Sequence, residues 1–213
     1  MTAASASPSA QFWEARYSGT ASEWGHQPNV RLTEILPRLG LRPGLAWDLG
    51  CGHGGDALWL ASLGWHVTAT DVSATAVSRV AAAAMERELR DWVTAQVHDL
   101  SRSRPEGTFH LVYACYFHSP VPLDRDQILR DAAELLRPGG CLVLIDHASA
   151  APWSWRPEGR EREFPTPTET LLGIGLPLGW GRTEVCERSD RVATGPDGQA
   201  ATVTDNILAL RRT

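Results

Sequence analysis

The fold is decided by the stretch Asp48-Leu49-Gly50-Cys51-Gly52-His53-Gly54-Gly55, which follows the short apolar segment Leu45-Ala46-Trp47. Glycine lets the backbone turn sharply with a positive φ and lets a ligand approach main-chain NH groups. We predict that a buried strand over residues 45–49 ends in this turn and that a helix over residues 56–63 follows it. In an open parallel sheet such a turn lies at the carboxyl ends of the strands, where ligands bind.

Strand and helix patterns alternate along the chain on both sides of this turn. Further strands are predicted over residues 65–70, 92–97, 109–114 and 141–146, and further helices over residues 12–17, 28–39, 73–89 and 126–136. This alternation is typical of a parallel sheet with helices on both faces.

The pattern changes after residue 147. Ala148–Pro165 is rich in Pro, Trp and Arg and is predicted to be a loop, and a short helix is predicted over residues 168–172. Two strands, residues 182–188 and 201–210, are then predicted around the turn Gly195-Pro196-Asp197-Gly198. The sequence thus predicts an α/β fold in which a parallel core is closed by an antiparallel C-terminal hairpin.

Composition limits the classes of protein to consider. A chain of 213 residues with 43% apolar residues is suited to one domain with a full core. A formal net charge of -5 argues against a nucleic-acid partner, because phosphate binding needs a basic face. No apolar run approaches the ~20 residues that a membrane span needs, and Met1–Ala10, which we expect to be disordered, lacks the features of a signal peptide. We therefore expect a cytoplasmic protein with no membrane partner.

The four cysteines, at positions 51, 115, 141 and 186, are far apart and form no CxxC pair. This spacing predicts neither a zinc site nor a redox motif. We expect no metal site, and free thiols in a reducing compartment.

Two ligand classes compete for the glycine-rich turn. Gly50-x-Gly52-x-x-Gly55, with Asp71 about 20 residues further on, also satisfies the dinucleotide pattern. Asp48, two residues before Gly50, argues against that ligand, since its carboxylate would repel a pyrophosphate and attract an ammonium group. The alternative is that Asp48 merely caps the following turn.

Acidic residues also follow the second and third predicted strands. Asp71 is placed to accept two hydrogen bonds from a ribose diol, and Asp99 to accept the exocyclic amine of adenine while Leu100 packs on the ring. The alternatives are a turn residue before the helix cap Ser73 and a surface acid in a loop. Three carboxylates after three successive strands are together more specific than any one of them.

At these positions the sequence resembles the class I S-adenosylmethionine-dependent methyltransferases, over residues 28–147. The matching segments, in order, are residues 47–54, 70–73, 98–100, 109–114 and 136–140. The resemblance implies a Rossmann-like, seven-stranded, mostly parallel sheet with an antiparallel last strand, and S-adenosylmethionine as cofactor, with S-adenosylhomocysteine as product. The cofactor contacts that it implies come from Asp48, Leu49, Gly50, Cys51, Gly52, Gly54, Asp71, Val72, Asp99, Leu100, Cys115 and Tyr116.

The N-terminal segment is similar to that of the tellurite-resistance-type and thiopurine-type methyltransferases. The similarity lies in residues 12–17, Trp24-Gly25 and Pro28-Asn29. It implies that residues 1–27 form a tail and a lid over the cofactor, and that residues 28–213 form one methyltransferase domain. Trp13 and Trp24 are the candidates for an aromatic face against the sulfonium, and packing of both rings against the sheet is the alternative.

The methyl acceptor is expected beyond the fourth and fifth strands. Candidate residues there are Tyr116, Phe117, His118, Asp146 and His147. His118 directly follows the fourth strand and is the candidate general base or orienting group, the alternative being a polar loop histidine. Trp153, Trp155, Arg156, Arg160 and Arg162 are a candidate aromatic and cationic wall, or a solvated loop.

A small-molecule acceptor fits the acidic net charge best, and thiols, metalloid oxyanions, hydroxyls and amines remain open. We expect a monomer or a homodimer. One rival function is an NAD(P)-dependent oxidoreductase, although a chain without lysine lacks the common Tyr-Lys catalytic pair. The other is a non-catalytic S-adenosylmethionine-binding protein.

Overall fold

A computed structural model describes residues 7–19, 26–154 and 164–213. In chain order its elements are α1 (Pro8–Ser18), α2 (Val30–Arg38), β1 (Leu45–Leu49), α3 (Gly55–Ser62), β2 (His66–Asp71), α4 (Ala74–Glu86), β3 (Val93–Val97), β4 (Phe109–Cys115), α5 (Arg125–Glu134), β5 (Leu136–His147), α6 (Pro167–Ile174), β6 (Gly181–Thr194) and β7 (Ala200–Arg212).

All seven strands form one sheet in the order β3-β2-β1-β4-β5-β7-β6. Strands β1 to β5 are mutually parallel, and β7 runs antiparallel to both β5 and β6. The predicted mostly parallel sheet with an antiparallel C-terminal hairpin is confirmed. The strand order reverses between β1 and β4, and this switch point places the turn after β1 beside the turn after β4.

Helices cover both faces of the sheet, as predicted. One buried cluster joins apolar residues of α2, α3 and α4 to alternate residues of β1, β2, β4 and β5, and the other joins α5 and α6 to the opposite face. Trp47 of β1 is almost fully buried, and its indole nitrogen donates to the Thr70 hydroxyl at 2.9 Å. The same hydroxyl donates to the Asp48 carbonyl at 2.9 Å. These bonds fix the end of β1 against β2, directly before the glycines.

Several element boundaries differ from the prediction. Helix α1 begins at Pro8, with Ser7 as its cap, because a proline suits the first turn and the Ser7 hydroxyl accepts from the Ala10 amide at 3.2 Å. The expectation of disorder up to Ala10 is therefore wrong from Pro8 onward, and residues 1–6 lie outside the described residues. Helix α5 ends at Glu134, and Leu136, predicted as its last residue, already pairs with Phe109 in the sheet.

Residues 98–108 connect β3 to β4 through turns, without the helix that a regular alternation would place there. In the part of the chain that the structure describes, no helix has the length and apolar character needed to span a bilayer.

Candidate functional site

The turn after β1 is built around three glycines with positive φ. The φ angles are 73° at Gly50, 52° at Gly52 and 80° at Gly54. A Cβ atom at Gly50 would lie 2.7 Å from the ring of Phe117, and one at Gly52 would lie 2.9 Å from the hydroxyl of Tyr17. A side chain at either position is thus excluded by both backbone strain and contact.

Asp71, at the end of β2, closes the turn. Its carboxylate accepts from the Gly52 amide at 3.0 Å and from the Ser73 amide at 2.9 Å. Burial raises the pKa of Asp71, and the hydrogen bonds from the Ser73 and Gly52 amides oppose this effect. A carboxylate has about four lone-pair sites, so two remain for a ligand hydroxyl pair.

Asp48 lies beneath the turn with 3% exposure. Its Oδ2 atom has no hydrogen-bond partner among the described residues. Burial, followed by the negative charge of Asp56, raises its pKa well above the usual range of an aspartate. The hydroxyl of Tyr113 faces Asp48 without a hydrogen bond of ordinary geometry. This orphaned buried oxygen is what a cationic group of a ligand would satisfy.

A cavity of about 570 Å³, its open mouth included, lies over the carboxyl ends of the parallel strands. Nine of the sequence-predicted residues line the cavity: Trp13, Gly50, Asp71, Val72, Asp99, Leu100, Tyr116, Phe117 and His118. It is also lined by residues that were not predicted as site residues: Ser9, Tyr17, His98, Ser119 and Leu123.

The other predicted cofactor residues lie elsewhere. Leu49 and Cys51 are buried in the two core clusters, so only their backbone is available to a ligand. The thiol of Cys115 lies beside Asp56 within the core, where burial raises its pKa well above the usual value. Trp24 lies outside the described residues, as do Trp155, Arg156, Arg160 and Arg162 of the candidate wall.

Helix α1 covers one side of the cavity with Trp13 and Tyr17. Its Glu14 carboxylate binds the N-terminus of α4, where it accepts from the Ser73 hydroxyl at 2.7 Å, from the Thr75 amide at 3.2 Å and from the Thr75 hydroxyl. The hydrogen bonds from Thr75 and Ser73 lower the pKa of Glu14. A carboxylate at a helix N-terminus is also stabilised by the helix dipole. These bonds fix α1 next to Asp71.

A second polar group lies at the ends of β4 and β5. The Nε2 atom of His118 is 3.3 Å from an oxygen of Asp146, within ion-pair distance but not aligned for a hydrogen bond. Arg125 donates to both oxygens of Asp146, at 2.7 and 2.6 Å, and its Nε donates to the Phe117 carbonyl at 2.9 Å. Burial would raise the pKa of Asp146, but His118 and Arg125 together hold it below its usual value. Asp146 is therefore an ionised carboxylate beside His118.

His147 and Tyr116 stack next to this group. Their ring centroids are 3.9 Å apart at an interplanar angle of 7°, and Phe164 contacts both imidazoles, at 5.9 Å from His118 and 5.7 Å from His147. Burial, followed by the charge of His118, lowers the pKa of His147 to about 4. His147 is therefore neutral at physiological pH.

The structure thus brings the predicted acceptor residues together and adds Arg125 and Phe164 to them. The ring of Phe117, which was predicted among the acceptor residues, packs against Gly50 of the glycine turn. Arg125 opens helix α5, where a lone arginine carries no sequence signal for a site. Within the described ranges, no group of three or more His, Cys, Asp or Glu side chains is arranged to hold a metal ion.

Sequence comparisons agree with this geometry. A family model described as a methyltransferase domain matches residues 47–142. The ubiquinone biosynthesis O-methyltransferase of Xanthomonas campestris pv. campestris (strain B100) is 35% identical over 118 residues, which are 54% of this chain and 48% of that protein. The chain spans about half the length of the curated relatives it matches.

Solved structures share the fold over nearly the whole chain. A structure from work on the conversion of a disulfide bond into a thioacetal group during echinomycin biosynthesis has a TM-score of 0.70 and 24% identity, and covers 95% of this chain and 92% of that one. TehB from Haemophilus influenzae has a TM-score of 0.64 and 14% identity, and covers 96% of this chain and 67% of that one. Residues 47–142 thus match a methyltransferase domain, and the chain shares its fold with solved structures such as TehB.

Proposed function

We propose that this protein transfers a methyl group from S-adenosylmethionine to a hydroxyl group of a small molecule, with His118 as the general base. The observation that carries the proposal is the placement of His118 in the cavity wall, 3.3 Å from the buried carboxylate of Asp146. The relative that shares 35% identity is named an O-methyltransferase, which supports a hydroxyl acceptor.

The residues around the glycine turn fit the cofactor. Asp71 would accept the ribose hydroxyls, and Asp99 and Leu100 would hold the adenine, since all three line the cavity. The orphaned oxygen of Asp48 beneath the turn would be satisfied by a cationic group of the cofactor. Trp13 offers an aromatic face to a cation. When bound, S-adenosylmethionine would supply an activated methyl group on its sulfonium.

His118 would act on the proton of the acceptor. A tautomer with its proton on Nε2 would keep that proton on the side of Asp146 and leave the Nδ1 lone pair to accept the hydroxyl proton. During transfer of the methyl group to its oxygen, the acceptor would pass this proton to Nδ1. The imidazolium that results is stabilised by Asp146, which Arg125 keeps ionised. Such a base contributes typically 10²–10⁴-fold to the rate.

The first test is the His118→Ala variant, with His66→Ala as the matched control because His66 is exposed and lies at the start of β2. An acceptor is first found by a methyl-transfer screen over phenols, aliphatic alcohols, thiols, amines and metalloid oxyanions. We expect His118→Ala to lower kcat by roughly 10²–10⁴-fold, and its cofactor Kd to stay within about twofold of wild type. His66→Ala should match wild type in both.

Several results would contradict the proposal. An unchanged kcat in His118→Ala would show that His118 is not the general base. Methylation of thiols alone would exclude a hydroxyl acceptor. Calorimetry with S-adenosylmethionine, S-adenosylhomocysteine and NAD tests the cofactor independently. Tight binding of NAD without S-adenosyl binding would reject the methyltransferase function, and S-adenosyl binding without transfer to any acceptor would favour a non-catalytic protein.

A further inference from the structure

Tyr116, the first residue after β4, has a backbone φ of 56°. This is the left-handed region, which a bulky non-glycine residue rarely adopts. Such a conformation is strained and persists where the surrounding structure enforces it. The Tyr116 amide donates to the Ile145 carbonyl at 2.7 Å, and its carbonyl accepts from the His118 amide at 2.7 Å. The strained backbone of Tyr116 therefore sets the direction of the chain at Phe117 and His118.

The phenol of Tyr116 forms a closed ring of hydrogen bonds with the side chains of Asp205 and Arg191. Its hydroxyl donates to Asp205 at 3.0 Å and accepts from Arg191 at 3.1 Å, and Arg191 also donates to Asp205 at 2.6 Å. Asp205 lies on β7 with 0% exposure, and Arg31 of α2 adds a second cation at 3.4 Å. Because a tyrosine hydroxyl has one proton, Tyr116 has none left to donate to an acceptor.

We propose that Asp205 and Arg191 are positioning residues for the methyl-transfer reaction. By fixing the phenol of Tyr116, they hold the strained turn after β4. This turn places Phe117 against the glycine turn and His118 beside Asp146. The proposal rests on the function proposed above. It explains why two arginines from α2 and β6 converge on one fully buried carboxylate of β7. A buried ion pair of this kind is weak evidence for stability but can enforce one specific arrangement.

Tyr116→Phe is the informative variant. It removes the hydroxyl and keeps the ring that stacks on His147, while Asp205 keeps both of its arginines. Asp205→Asn is less informative, because it leaves two cations without their shared carboxylate and endangers folding. The matched control is Arg38→Met. It breaks a surface ion pair that joins α2 to β6, that of Arg38 with Glu187 at 3.2 Å.

Two readouts separate positioning from a general structural role. With the acceptor identified, Tyr116→Phe should lower kcat about tenfold, while the cofactor Kd stays within about twofold of wild type. Without any acceptor, the NMR signals of the His118 imidazole, assigned with His118→Ala, should change in chemical shift as the distance to Asp146 changes. Arg38→Met should leave kcat, Kd and these signals at their wild-type values.

An unchanged kcat and unchanged NMR signals of His118 in folded Tyr116→Phe would overturn the proposal. A loss of cofactor binding in proportion to kcat would overturn it as well, since the turn would then serve the cofactor. The NMR readout keeps the two proposals distinguishable. If no acceptor is methylated, the proposed function fails, whereas changed NMR signals of His118 would still show that the phenol held by Asp205 and Arg191 sets the position of His118.

Discussion

Asp48 carries a carboxyl group that the fold buries beside other acids. Its pKa is raised well above 3.8 by burial and then by Asp56. The neutral form therefore predominates in the folded chain to a higher pH than in the unfolded chain. Stability from this group is fully present below the unfolded pKa and is lost as the pH rises toward the folded pKa. At neutral pH and above, Asp48 destabilises the ligand-free protein, which is reasonable only for a residue kept to meet a cation.

Asp48→Asn should therefore improve stability and weaken binding at the same time. At pH 8 we expect the free energy of unfolding to rise by about 1 kcal/mol, and at pH 4 the gain should largely disappear. Affinity for S-adenosylmethionine should fall about tenfold, because an amide does not supply the negative charge. Denaturant titrations at both pH values and calorimetry measure these effects, with the exposed Asp91→Asn as control. A variant that is less stable at pH 8 would refute this account of Asp48.

The residues that could be predicted are those whose chemistry depends on local sequence. Gly50, Asp71 and Asp99 lie at or just after the carboxyl ends of β1, β2 and β3, and the carboxyl ends of parallel strands meet at one edge of the sheet. Arg125 and Asp205 reach the site only through folding. Asp205 lies 89 residues from Tyr116, to which it is bonded, and no spacing rule links a residue of the last strand to the turn after β4.

The position of helix α1 over the cavity depends on the contact of its Glu14 with the N-terminus of α4. Its first turn could be recognised from Ser7 and Pro8, which are a cap and a first-turn proline, but its docking site could not. Glu14 joins α1 to the N-terminus of α4 through Ser73 and Thr75. The Ser73 amide is also a donor to Asp71. The contact therefore links the predicted lid to the residue proposed to bind the ribose.

Glu14→Gln should loosen this lid. The amide loses the charge that favours a helix N-terminus, which is a change of about 1 kcal/mol, or about fivefold in the Kd for S-adenosylmethionine. Stopped-flow binding should show the change mainly as faster dissociation. Glu86→Gln, at the C-terminal end of α4, is the control and should bind like wild type. An unchanged dissociation rate in Glu14→Gln would mean that α1 does not retain the cofactor.

At the scale of the whole molecule, the sheet order places two sets of charged side chains at one edge of the sheet. Acids lie at the ends of β1, β2 and β3. On the other side, the turn after β4 and the strands β5, β6 and β7 bring together Arg125, Arg191, His118 and His147 with their two aspartates. The alternation of strands and helices predicts the parallel core. It does not predict that the hairpin lies next to β5, and this placement is what brings Arg191 and Asp205 to the acceptor side.

His147 should make the stability of the folded protein depend on pH in the sense opposite to Asp48. Its folded pKa of about 4 lies below its unfolded value of 6.5, so the unfolded chain binds more protons between these values. Stability is therefore lost as the pH falls from 6.5 toward 4, by about 2 kcal/mol. His147→Phe keeps a ring against Tyr116 and removes the titration. Between pH 7.5 and 4.5 the variant should lose about 2 kcal/mol less than wild type in denaturant titrations. His66→Phe, which alters an exposed histidine stacked on Trp92, should follow wild type. If His147→Phe follows wild type as well, the imidazole of His147 is not held neutral by burial.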